Sequence, residues 1–273
     1  ENGETIYYFR GDVDDNWVSF AGFYWRIIRI NGDGTIRMIY AGTDPNVTTG
    51  TGTQISLDGS TTTYVFNSSR DRSEYVGLKY TQGQQHGNTT NSSIMNTLNS
   101  WYNSNLTSYA GYIDQNAGFC GDREMARGYS WSSQPSSYID YAARDRLETN
   151  KTPSLQCSSN DLFTVTGASK GNASLTNPIG LITADEVAMA GGKNANNYGY
   201  YLYTGQNYWT LSPYRFAVGS SSGTASVFRV NSAGRLGSND VHSTNGVRPV
   251  INLRADVSLS GSGTSSNPYI VQP

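Results

Sequence analysis

The sequence predicts an α+β fold in which short strands dominate, with short helices and many loops. Three observations carry that expectation. Only 15% of the 273 residues are charged, against roughly 25% in a typical soluble protein. Polarity comes instead from Asn, Ser, Thr, Gly and 20 tyrosines while leucine is scarce, which disfavours a helical bundle and favours strands joined by turns. Helical spacing, where it occurs, is confined to short segments.

The N-terminal part reads as strands. Thr5 to Arg10 is aromatic and β-prone, and Phe23 to Ile30 and Thr35 to Tyr40 flank Asn31-Gly32-Asp33-Gly34. That turn supplies the positive φ angles of a hairpin. Trp25, Ile27 and Arg29 alternate with Arg26, Ile28 and Ile30, so the hairpin is expected to be covered on both faces in places. Residues 41–73 are Thr/Ser/Gly/Asn-rich loops with a strand at Thr63 to Phe66, and Tyr75 to Tyr80 reads as another strand. A helix fits Ser92 to Ser104, with Ile94, Leu98, Trp101 and Tyr102 as its apolar stripe and Asn91 or Ser92 as its cap. A second is expected over Ser137 to Thr149, with Tyr138, Tyr141, Ala142 and Leu147 inward. A third runs from Thr183 to Gly191, where Thr183 and Glu186 form a capping box and Gly191 closes the last turn. Strands and turns follow to the end.

Several chemistries are disfavoured. The net charge is −2 without a basic cluster, which argues against nucleic acid as a partner. No apolar run approaches a membrane span, so direct membrane insertion by this segment is not expected. The chain opens at Glu1-Asn2-Gly3, so any targeting or anchoring segment is expected to have been removed. Cys120 and Cys157 sit in turn-like settings. In an oxidising compartment they would form one disulfide; the alternative is two unrelated buried thiols. His86 and His242 are solitary, no Cys/His cluster exists, and neither a metal nor another cofactor is expected. Asp240 and His242 would share a face of a strand, but without a nucleophile motif. Asp12 to Asn16 opens like a calcium loop, yet Trp17 and Phe23 replace the required Gly and Glu. Asp185 and Glu186 are accounted for by the helix dipole at the start of the third helix.

The informative segment lies in the last third. Tyr208-Trp209-Thr210-Leu211-Ser212-Pro213 and Gly246-Val247-Arg248-Pro249-Val250-Ile251-Asn252-Leu253 have frame composition. Between them, Tyr214 to Asn245 is a run of Tyr, Arg, Phe, Ser, Gly, Asn, Ala and Val. Tyr and Phe give contact area at small entropic cost, Ser, Gly and Asn give adaptable hydrogen bonds, and Arg is favoured at hot spots. An ordinary polar β-meander would share this composition.

The two frame motifs resemble those flanking the variable region of diversity-generating-retroelement variable proteins, which have a C-type-lectin-like fold related to the formylglycine-generating-enzyme branch. Phe20 to Gly34, Pro178 to Glu186 and Gly263 to Val271 are similar to surface proteins of gut Firmicutes, some of which are pilin-like. The resemblance implies that adenine mutagenesis, chiefly of Asn codons, diversifies ligand-contacting positions. Such mutagenesis does not readily yield Trp, Lys, Gln, Glu or Met, and none occurs from Tyr214 to Asn245.

It therefore implies one C-type-lectin-like domain over 1–273, with a β elaboration over 1–80 and a variable region at about 205–252. Trp209, Leu211, Val247, Pro249 and Val250 would be scaffold, and Arg248 would anchor strands through a buried or half-buried polar network. The ligand surface would comprise Tyr214, Arg215, Phe216, Ser220, Ser222, Phe228, Arg229, Asn231, Arg235, Asn239, Asp240, His242 and Asn245. The expected function is extracellular binding, not catalysis, with a protein or glycan on another cell or phage as ligand. The alternatives are a structural surface protein or minor pilin assembling through the same face, and an enzyme of the sister branch. That branch uses a cysteine-based site, whose motif neither Cys120 nor Cys157 matches.

Overall fold

The computed structural model describes residues 5–219 and 223–272. In chain order its strands are β1 (Tyr7–Tyr8), β2 (Trp17–Phe20), β3 (Phe23–Ile30), β4 (Ile36–Gly42), β5 (Thr63–Val65), β6 (Lys79–Tyr80), β7 (Thr90–Asn91) and β8 (Phe119–Cys120). There follow β9 (Ile139–Asp140), β10 (Leu162–Phe163), β11 (Tyr208–Val218), β12 (Gly223–Val230), β13 (Leu236–Asp240), β14 (Thr244–Gly246), β15 (Val250–Leu253), β16 (Ser258–Ser260) and β17 (Tyr269–Gln272). The α-helices are α1 (Ser93–Asn105), α2 (Ala142–Arg144) and α3 (Ala184–Met189). The fold is thus strand-dominated α+β.

Two sheets carry the architecture. The first is ordered β15-β4-β3-β2-β17-β16, with β1 added to β3; the second is ordered β13-β12-β11-β14-β5, with β9 added to β11. The β3–β4 hairpin forms where the turn chemistry predicts it, but as a three-residue loop. Asn31 N donates to Thr35 O at 2.9 Å, Gly34 N to Asn31 O at 2.9 Å, and Gly34 alone in the loop has a positive φ, of 84°. This is a type I turn closed by a left-handed glycine. The same device recurs in the second sheet at Asn231 to Arg235, with Gly234 at φ 70°. In β3 the register slips between Ile27 and Arg29, so strict alternation is lost, and Trp25 to Arg29 are all buried.

Buried side chains of both sheets and the helices join in one apolar core. Trp101 of α1 packs against Phe23, Trp25 and Tyr40 of the first sheet at 5.3–6.1 Å between ring centroids. Trp209 of β11 meets Phe66 edge-on at 5.8 Å. Such geometry adds about 0.5–1.5 kcal/mol per pair beyond area burial. Two buried polar ties, each through a charged side chain, reinforce the contact. Arg248, between β14 and β15, donates to Tyr40 O of the first sheet at 2.9 Å and to Leu202 O at 3.3 Å, and lies 5.0 Å from the Tyr208 ring of β11. Glu186 of α3 accepts from Arg29 at 3.1 Å and sits 2.5 Å from Nε of Arg37, both residues of the first sheet. Glu186 also completes the capping box with Thr183. It therefore does more than answer a helix dipole.

Three expectations about elements are corrected. The strand expected over Thr5–Arg10 is only Tyr7–Tyr8, because the chain leaves the sheet to bond the end of α3. There Arg10 donates to Met189 O at 2.9 Å and Gly11 N to Ala190 O at 2.9 Å, satisfying carbonyls the helix leaves open. Tyr75–Tyr80 is a 3-10 turn over Ser73–Val76 followed by β6. The chain doubles back at Gly77, where a Cβ would lie 2.4 Å from Lys79 O. The helix expected over Ser137–Thr149 begins late, since Asp140 and Ile139 pair with Arg215 and Phe216 of β11. Only Ala142–Arg144 is α-helical, widening into a π-turn over Asp145–Asn150, and Tyr138 faces solvent instead of the core. The disulfide is formed: Cys120 and Cys157 are bridged with Cα atoms 5.8 Å apart.

Candidate functional site

β11, β12 and β13 form an antiparallel ribbon whose register decides where the side chains of their described residues point. Arg215 lies opposite Ser226, and Ser226 opposite Asp240, so these three stand in a row on one face. A slip at Pro213–Arg215 turns Tyr214 onto the same side as Phe228, which it meets edge-on at 5.0 Å.

A continuous polar lattice covers this face. Arg215 donates to Asp140 Oδ1 at 2.7 Å and lies 4.7 Å over the Tyr138 ring. Asp140 also pairs with Arg144, and Arg144 with Glu148 at 3.2 Å. Arg144 stacks 4.9 Å from the Tyr214 ring, while the Tyr214 hydroxyl donates to Glu148 at 3.2 Å. Glu148 in turn accepts from Asn194, whose Oδ1 accepts from Arg235 at 2.7 Å. Burial alone would raise the Asp140 pKa, but hydrogen bonds from Arg215 and Arg144 outweigh it and hold the carboxyl below its usual range. Asp140 is therefore ionised at neutral pH and holds Arg215 and Arg144 in place.

The structure divides the residues expected on the ligand surface. Tyr214, Arg215, Arg235, Asp240 and His242 reach solvent wholly or in part on or beside the lattice. Asn231 spends its side-chain oxygen on the turn, accepting from Ala233 N and Arg235 N. Arg229 and Asn239 are half-buried and, by register, point to the opposite face. Asn245, there bonded to Arg229 at 3.0 Å, is 0% exposed, and Phe216 and Phe228 are 2% and 1% exposed. These three are corrected to interior residues. Phe216 packs so closely on β12 that a Cβ at Gly223 would lie 1.8 Å from its ring. Ser220 and Ser222 lie outside the described residues. Trp209, Leu211, Val247, Pro249, Arg248 and Val250 are all buried, as a frame requires.

Sequence reasoning missed Tyr138, Asp140, Arg144, Glu148 and Asn194. A signal for part of the set existed: Asp140, Arg144 and Glu148 recur at i, i+4, the spacing of an ion-pair ladder.

Another cleft, of about 750 Å³, is bounded in part by Arg29, Asp122, Arg146 and the disulfide. Burial, opposed by Arg146 and aided by Asp185 and Asp161, pushes Asp122 up to about 7. Asp122 and Asp185 share Arg146 at 2.5 and 2.7 Å. Both cysteines are oxidised, so neither offers a thiolate nucleophile. His86 sits 3.5 Å from Glu124 and 3.6 Å from Asp161. Asp161 is mainly engaged by Arg123 through Nε at 2.7 Å and Nη2 at 2.6 Å. Asp240 does not form a strand pair with His242, because the chain turns between them and Ser243 N bonds Asp240 O. Asn16 of the calcium-like stretch is buried and bonded to Arg26 and Ile27 O. Among the described residues no group of three His, Cys, Asp or Glu is placed to hold a metal. No protein family, curated protein or solved structure matches the chain, so its functional reading rests on the geometry above.

Proposed function

We propose that this chain is an extracellular binding protein that presents the solvent face of β11–β13 to a macromolecular ligand, on a C-type-lectin-like scaffold of the retroelement-diversified kind. The observation that carries the reading is the contrast between frame and face. Trp209 and Arg248 are locked into the core at either end, while Arg215, Ser226 and Asp240 stand in a row, each partly open to solvent. Arg and Tyr side chains pinned in a lattice lose little entropy on binding. A disulfide suits an oxidising compartment, and no helix among the described residues is long and apolar enough to cross a membrane.

The test is a displayed library randomised at Arg215, Ser226, Arg235, Asp240 and His242. Substitutions at these exposed or half-buried positions cost about 0.5–1 kcal/mol each, and the Arg215–Asp140 pair contributes about 0–1 kcal/mol. Most members should melt within a few degrees of the parent, and selection against an arbitrary soluble protein should recover binders. Unfolding of most members, or recovery of none, refutes the proposal.

A further inference from the structure

A second concave surface shares no lining residue with the lattice. It is a cleft of about 490 Å³ between the Asp12–Trp17 segment, residues 45–49 and the tyrosines at 198–203. Tyr198 is 61% exposed and meets Tyr203 edge-on at 5.2 Å, presenting one ring largely to solvent. Asp12 and Asp14 are exposed on the cleft wall; among the described residues neither carboxylate accepts a hydrogen bond. The site is built rather than incidental: Tyr200 is held by its hydroxyl on Gly234 O at 3.0 Å, and Arg26 is wedged between Trp17 at 4.3 Å and Tyr201 at 5.2 Å.

A second, independent observation points to a ligand. Next to the cleft, sharing Trp17, Arg26, Thr48 and Tyr201 with it, is a chamber of about 10 Å³, room for about one water or one hydroxyl group. Tyr201 and Thr204 both line it, both residues are more than nine-tenths buried, and neither side-chain hydroxyl has a hydrogen-bond partner among the described residues. A buried hydroxyl without a partner is costly, so this chamber favours one water or one ligand hydroxyl.

Charge selects the ligand class. Asp12 and Asp14 are balanced by Arg26 and by Arg248, which borders the chamber. Burial lowers Arg26 only to about 10, so it stays charged at neutral pH. A cationic ligand would meet a guanidinium already occupying the Trp17 and Tyr201 ring faces, and an anionic one would meet the two carboxylates at the entrance. A neutral molecule with an apolar face and many hydroxyls fits all three features: exposed ring, unused acceptors, and orphaned hydroxyls.

We propose that this cleft is a binding site for a neutral saccharide. One sugar ring packs its apolar face on Tyr198, its hydroxyls donate to Asp12 and Asp14, and one hydroxyl reaches toward the Tyr201–Thr204 chamber. This site is separate from the lattice on β11–β13.

Calorimetric titration of the full chain with neutral gluco-, galacto- and manno-oligosaccharides tests it, with choline and a sialylated oligosaccharide as charged probes. At least one neutral oligosaccharide should bind saturably and more tightly than either charged probe. Tyr198→Ala, and Asp12→Asn combined with Asp14→Asn, should each weaken it about tenfold or more, with unchanged melting temperature because these residues are exposed. Arg215→Ala should leave the affinity unchanged, which separates this site from the lattice. Absence of binding by every neutral saccharide, preference for choline or the sialylated probe, or affinity that survives both variants overturns the proposal.

Discussion

Replacing Glu186 by Gln should destabilise the fold by about 3–5 kcal/mol. The carboxylate is 2% exposed and serves two guanidiniums at once, Arg29 at 3.1 Å and Arg37 at 2.5 Å. Glutamine keeps the volume and can still reach back to the Thr183 backbone amide, so the capping box survives. What is lost is the anion that both buried guanidiniums share. Against a typical total stability of about 5–15 kcal/mol, such a loss is large. Urea unfolding followed by the fluorescence of the 5 tryptophans would report it as a fall in midpoint at unchanged slope. The pH dependence supplies a second readout. Burial acts to raise the Glu186 pKa, but Arg37 and Arg29 outweigh it and the net shift is downward. In the folded state the group therefore holds fewer protons than in the unfolded chain. Its contribution is fully present above the unfolded pKa of about 4.3 and is lost as pH falls through the lower folded value. Relative to the variant, the parent should lose this advantage on acidification below that window. A midpoint change worth under about 1 kcal/mol at neutral pH, too small for a broken buried pair, would refute the reasoning.

Two further perturbations test the frame. Replacing Cys120 and Cys157 by Ser releases a loop with a sequence separation of 37, worth about 4 kcal/mol in chain entropy; reduction without denaturant should lower the melting temperature comparably, and an unchanged value would sink the assignment of the bridge as a stabiliser. Gly246→Ala would set a Cβ 2.0 Å from the buried Gln54 amide, which donates to Asn207 O at 3.0 Å. A cost of about 1–3 kcal/mol is expected, partly recovered by adding Gln54→Ala; strict additivity of the two changes in a double-mutant cycle would show that the contact is not responsible.

Local chemistry in the sequence determined a definite part of this protein. The Asn31–Gly34 turn, the Ser92 cap and stripe of α1, and the Thr183–Glu186 capping box all act through neighbours within a few residues, and each forms where it reads. The apolar frame around Trp209 was also legible in the composition of its motif, whereas the anchoring role of Arg248 was implied by the resemblance, since a guanidinium ordinarily reaches solvent. Tertiary structure decided the rest. Ile139 and Asp140 satisfy their backbone on β11 instead of starting a helix, and that choice delivers Tyr138, Asp140 and Arg144 to the polar lattice. The slip at Pro213–Arg215 fixes which of Tyr214, Arg215 and Phe216 turn outward, and no count along the chain reveals a slip. The partners of Asp185 and Glu186, namely Arg146, Arg29 and Arg37, lie far away in sequence. Turns and caps are set by backbone sterics and one or two hydrogen bonds, whereas faces and ion pairs are set by which distant strand arrives opposite, and only the folded chain brings those together.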